Sequence, residues 1–105
     1  MPSQTITQAD QAVGVIPAAP WRVKTVQVLS EWRLSVTFND GVSGLVDLSE
    51  AIHAPDAGLL AELKDESYFA LAYLDYGAVA WPNGADLAPE AMHDAIQETG
   101  IWRVE

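Results

Sequence analysis

His53 and His93 are the only imidazoles in the 105-residue chain, and imidazole is the side chain best suited to moving protons or holding a metal near neutral pH. A metal site would have to bring them together with carboxylates such as Asp56, Glu90 or Asp94. Each stands alone near an expected helix end, so both are read as exposed polar residues. Ser43 follows Gly41-Val42, but a hydrolase elbow needs Gly-x-Ser-x-Gly on a strand-to-helix turn and a histidine to accept the proton. Here Ser43 begins a hairpin strand and is expected on its solvent face. Asp40, Asp47 and Asp86 invite a general acid–base pairing. Simpler roles suit them better: Asp40 forms a turn, Asp47 caps the helical turn after Leu48, and Asp86 precedes a helix. With no cysteine there is no disulfide, thiolate nucleophile or cysteine-based zinc site. Neither Gly-x-Gly-x-x-Gly nor the lysine-containing phosphate loop occurs. No catalytic residue, metal ligand or cofactor site is therefore expected.

The elements that must position these groups are short. Val23, Val26 and Val28, followed by Trp32, Leu34, Val36 and Phe38, place apolar residues at strand-like intervals, which predicts two strands turning near Ser30-Glu31. Arg33, Ser35 and Thr37 fall on the opposite, wetter face. Asn39-Asp40-Gly41 tolerates positive φ and predicts a tight reversal into a third strand, Val42 to Asp47. A helical turn capped by Ser49 follows, broken by Pro55 and Gly58, with a second turn from Leu59 to Lys64. Phe69 to Leu74 and Ala78 to Trp81 are strand-like around Asp75-Tyr76-Gly77, predicting a second hairpin. After Pro82-Asn83-Gly84, Pro89 suits a first helical position, Met92 and Ile96 share one face, and Gly100 stops the helix. The segment from Ile101 to Glu105 either frays or packs through Trp102. The expected fold is α+β: a small antiparallel sheet of two hairpins, short helical turns and one C-terminal helix. Residues 21–105 form its single domain. Residues 1–20 are expected to be a flexible tail, with an apolar run from Val13 to Pro17 able to dock as an edge strand or on a partner.

Fifteen acidic against five basic residues give a formal charge of −10, which repels phosphate backbones and disfavours direct nucleic-acid binding. The five cations are scattered, so no basic stripe hides within the acidic total. No apolar run approaches the roughly 20 residues of a membrane span, and Met1 to Thr5 lacks the basic and apolar regions of a signal peptide. The expected location is the cytoplasm. Four tryptophans are many for this length, and aromatic residues anchor interfaces. Most are assigned to the core. Trp21 and Trp81 are expected to be partly exposed anchors and, with Asn83 and Asp86 of the adjoining turn, are the interaction candidates.

The order Leu34-x-Val36-x-Phe38, Asp40-Gly41, Val46-Asp47-Leu48, Tyr68-Phe69 and Trp81-Pro82-Asn83-Gly84-x-Asp86-Leu87-x-Pro89-Glu90 resembles the domain of unknown function family 2442 over about Val23 to Ile96. The resemblance implies a small bacterial α+β domain without an established activity. Some members of the family carry an added helix-turn-helix, for which neither the residues before Trp21 nor those after Ile96 have the pattern. Others are encoded beside a second small protein in pairs that look like toxin–antitoxin modules. The first expectation for function is a non-enzymatic protein-interaction module, an antitoxin-like partner of a small basic protein. A homo-oligomeric structural domain is the second. A small-ligand binder or enzyme using His53 or His93 is the third.

Overall fold

The strict alternation at Leu34, Val36 and Phe38 produces strand β2 (Arg33–Phe38) in the computed structural model, which describes residues 19–105. These three side chains are buried while Arg33, Ser35 and Thr37 remain half-buried, the two-faced pattern of a sheet covered on one side. β1 (Val23–Leu29) pairs with it in antiparallel register, Val26 opposite Val36 and Val28 opposite Leu34. The connection places Glu31 and Trp32 at positive φ, so the turn expected at Ser30-Glu31 extends to Trp32. The next reversal lies at Asn39-Asp40-Gly41, as the sequence predicts. There Gly41 alone takes a positive φ, 91°, and the Asp40 carboxylate accepts the Val42 N–H at 3.0 Å. β3 (Ser43–Asp47) then pairs antiparallel with β2.

Asp47 ends β3 and starts a helix in the same step. Its Oδ1 accepts from the Ser49 N–H at 2.9 Å and the Ser49 hydroxyl at 2.7 Å, and α1 (Ser49–His53) begins there. Ser49 is thus the first helical residue and donates to Asp47. The N-cap position falls on Leu48, which makes no side-chain bond, so the expected Ser49 cap does not form and Asp47 instead closes the turn that leads into the helix. A 3₁₀ turn, Gly58–Lys64, follows. The expected strand from Phe69 to Leu74 does not form over its full length. Asp65 accepts from the Ser67 N–H at 3.0 Å and hydroxyl at 2.6 Å, and this cap initiates α2 (Glu66–Phe69). Only Tyr73–Asp75 is extended, as β4, paired antiparallel with β5 (Ala78–Ala80). Tyr76 and Gly77 both have positive φ between them, which matches the twist of a tight hairpin.

Pro89 opens α3 (Pro89–Thr99), and Gly100, at φ 86°, closes it by donating to the Ile96 carbonyl at 2.7 Å. Of the two expectations for the residues after Gly100, packing through Trp102 is the one met, since Trp102 rests against the core with Val104. Ile101–Arg103 forms β6, parallel to β3, with Leu45 opposite Ile101. The main sheet has the order β1-β2-β3-β6, and β4-β5 is a separate two-stranded sheet. The fold is therefore α+β as expected, but its main sheet is mixed rather than purely antiparallel. The reason is α3, which carries the chain back across the sheet so that the next strand enters beside β3 in the same direction. Leu34, Val36, Phe38, Val46, Leu48, Ile52, Leu63, Phe69, Val79, Trp81, Met92 and Ile96 fill one core. The expectations for a flexible tail and a docking run at Val13 to Pro17 fall largely on residues 1–18, outside the described residues. Among the described residues no helix is long and apolar enough to cross a membrane.

Candidate functional site

The β2–β3 turn and α3 bring together two residues 53 positions apart. His93 Nε2 lies 2.7 Å from Asp40 Oδ2, and the ring stands edge-on against Phe38 with centroids 4.8 Å apart. His93 is only 8% exposed, which corrects the expectation of a solitary surface histidine. It follows Met92 and lies three residues before Ile96, so it shares the buried stripe of α3. Asp40 compensates the burial of its polar ring. The Val42 N–H first, and His93 second, hold the Asp40 carboxyl below its ordinary value. An Asp–His pair of this length fixes an imidazole's orientation, as it does in catalytic triads. Here it fastens the hairpin turn to the C-terminal helix. No sequence pattern pairs the two residues; the position of His93 on the Met92–Ile96 stripe was the only available signal.

His53 lies apart from this contact and keeps its exposed position. Its Nδ1–H donates to the Ser49 carbonyl at 2.7 Å, and its ring packs edge-on to Trp32, 4.7 Å between centroids. Trp32 in turn donates its indole N–H to the Leu63 carbonyl at 2.9 Å, joining the first hairpin to the 3₁₀ turn. Among the described residues, no group of three or more histidines, aspartates and glutamates is placed to hold a metal ion. Ser43 is exposed opposite Thr37, the position expected from strand alternation.

The interaction candidates separate in space. Trp81 is 1% exposed, stacks on Phe69 at 5.6 Å and donates its indole N–H to the Phe69 carbonyl at 2.9 Å. It is a core residue, which corrects its assignment as a partly exposed anchor. A large apolar ring finds its burial between α2 and β5, and its one polar atom finds a carbonyl there. Trp21 is half-buried with the Arg22 guanidinium 5.5 Å from its ring. Asn83 and Asp86 meet at one feature. The Asn83 amide donates to the Leu59 carbonyl at 3.0 Å and to Glu62 Oε1 at 2.6 Å, while its Oδ1 accepts the Ala85 N–H at 2.9 Å. The two amide bonds fasten the Pro82-Asn83-Gly84 turn to the 3₁₀ turn, and the third closes the turn itself. Between them lies an open cleft of about 250 Å³ lined by Ala57, Leu59, Leu60, Gly84, Ala85 and Asp86.

A row of residues connects this cleft to the second hairpin. Tyr73 of β4 lies opposite Ala80 of β5, and Ala80 is bridged on its other side to Asp86. Directly opposed residues of antiparallel strands project from the same face. The surface of this hairpin carries no sequence signal, because its residues have the apolar character of strand core. Leu71 is 50%, Tyr73 46% and Tyr76 87% exposed.

The family model described as "Protein of unknown function (DUF2442)" matches residues 23–98, well over half of the chain. Neither the curated proteins nor the solved structures yield a match.

Proposed function

We propose that this chain, which belongs to the DUF2442 family, is a protein-interaction module that acts by docking a small basic protein rather than by catalysis. The observation that carries this reading is the exposure of Leu71, Tyr73 and Tyr76 within six residues of chain on and beside one hairpin. Apolar and aromatic groups grouped in this way, next to polar surroundings, are typical of surfaces that another protein covers. The charge of −10 supports a basic partner, because complementary potentials speed encounter and reject wrong partners. In an antitoxin-like arrangement, such an acidic module covers a basic surface that its partner would otherwise turn toward nucleic acid. The experiment is affinity capture from the native host with the wild-type chain and with a Tyr73→Ser/Tyr76→Ser double variant. A basic protein recovered at one-to-one stoichiometry with wild type and reduced at least about tenfold with the variant is the expected result. Failure of wild type to retain any stoichiometric partner overturns the proposal.

A second reading, assembly of identical copies, is favoured by β6 and the part of β1 beyond Val23, which pair with no further strand among the described residues. Self-repulsion at −10 opposes it. A monomer by light scattering at high protein concentration would eliminate it.

A further inference from the structure

The cleft between the 3₁₀ turn and the Pro82–Asp86 segment has the size, walls and charge to receive one side chain. We infer that the cleft and the adjoining Tyr73–Ala80–Asp86 row form a receptor for an arginine side chain presented by the basic partner. The inference rests on the docking reading above and adds where the partner is held and by which residue type. At about 250 Å³ and open to solvent, the cleft falls below the roughly 300–1,000 Å³ of sites that enclose a metabolite. A single long side chain suits it better. Leu59, Leu60, Ala57 and Ala85 supply apolar wall for methylene groups. Asp86 is exposed at the cleft and takes part in no ion pair among the described residues, where the one such pair is His93–Asp40. Its carboxylate fits a bidentate guanidinium contact.

Tyr73 selects arginine over lysine. It shares a face with Asp86 across Ala80, a buried residue with no long side chain to set between carboxylate and ring. A planar guanidinium can pair with the acid and stack on the ring, whereas a compact ammonium makes only the point contact. Asn83 has a positioning role: its two amide hydrogen bonds, to the Leu59 carbonyl and Glu62, hold the two walls at their separation.

The test is a titration of the isotope-labelled full chain with the tripeptide acetyl-Gly-Arg-Gly-amide, following backbone amide signals. Matched peptides carrying lysine or the neutral isostere citrulline serve as comparisons. The expected result is saturable shifts centred on Leu59, Leu60, Gly84, Ala85 and Asp86, with citrulline weaker by about tenfold or more. Asp86→Asn should weaken arginine binding by a similar factor while leaving the remaining amide pattern in place. Ala57→Lys, which sets a cation at the cleft wall, should do the same and serves if Asp86→Asn disturbs the fold. Equal binding of citrulline, or cleft signals that move on simple dilution without peptide, overturns the inference, the latter assigning the cleft to a second copy of the chain. Shifts confined to the Tyr76 turn also overturn it but leave the docking proposal standing. Specific arginine binding at the cleft without any partner in the capture experiment supports the receptor and removes the docking proposal.

Discussion

Trp81 and Asp40 show how single residues that look functional in the sequence are committed to the fold. The Trp81 indole N–H donates to the Phe69 carbonyl, which also accepts a longer bond of 3.3 Å from the Ala72 N–H. Trp81→Phe therefore removes one buried hydrogen bond without leaving the carbonyl wholly unpartnered. A loss of about 2–3 kcal/mol is expected in urea unfolding, roughly 1 from the bond and the rest from the smaller ring's cavity. Asp40 behaves differently because its contribution depends on charge. Its folded carboxyl titrates below the ordinary value of 3.8, so the unfolded chain takes up a proton first as pH falls. The stabilisation is then fully present above the unfolded value and is lost as pH drops through the folded one. Asp40→Asn keeps an oxygen for the Val42 N–H but removes the negative charge facing His93. Its urea midpoint should lie below that of wild type at pH 7, with the gap narrowing toward pH 3. Asp40→Ala should fall further at pH 7, because it also abandons the turn bond and leaves the buried His93 ring without a polar partner. A gap independent of pH would show that the carboxylate's charge is not what fastens α3 to the hairpin.

At the scale of elements, the tightest approach is between β3 and the end of α3. A Cβ at Gly44 would stand 2.4 Å from the Gly100 carbonyl oxygen and 2.6 Å from Ile96 Cγ2. Gly44→Ala must therefore push the helix terminus and β6 away from β3, at a cost of about 1–3 kcal/mol. Hydrogen exchange locates the damage: the Leu45 amide, bonded to the Gly100 carbonyl, and the Val104 amide, bonded to Asp47, should lose protection first. The helical turn on the other side of β3 gives a parallel case. Asp47→Ala removes both bonds from Ser49 and should cost about 1 kcal/mol. The same elements mark what the sequence could tell. Both hairpins were legible because Gly41 and the Tyr76-Gly77 pair are local signals flanked by apolar residues, and α3 because Pro89 and Gly100 bracket it. β6 was not, since three residues carry no pattern and their partner in β3 lies 56 positions earlier, as Leu45 and Ile101 show. Phe69 to Leu74 was less legible because a continuous apolar run suits a buried helix as well as a strand: the Asp65–Ser67 cap takes Phe69 into α2, and only Tyr73 and Leu74 extend. The cleft was partly legible. Asn83 and Asp86 were singled out, but their meeting with Leu59 and Leu60 depends on how the 3₁₀ turn folds back.

For the whole molecule, the question is what a charge of −10 on 105 residues does to association. The field of many scattered carboxylates reaches well beyond contact at low ionic strength, where screening acts over about 30 Å at 0.01 M, but shrinks to about 10 Å at 0.1 M. A basic partner should therefore meet the chain at a rate that falls steeply as salt rises, because steering depends on the long-range field. On the docking proposal, release would be governed by short-range contacts at Tyr73, Asp86 and the cleft, where desolvation weakens screening. Stopped-flow measurement with the captured partner should accordingly show an association rate falling at least about tenfold between 0.01 and 0.5 M salt, with a much smaller change in dissociation. Asp86→Asn should invert the pattern. Removing one carboxylate from fifteen barely alters the distant field, so association should change little while dissociation quickens about tenfold. A salt dependence carried mainly by dissociation, or an Asp86→Asn effect confined to association, would mean that the acidic surface and the cleft do not divide the work in this way.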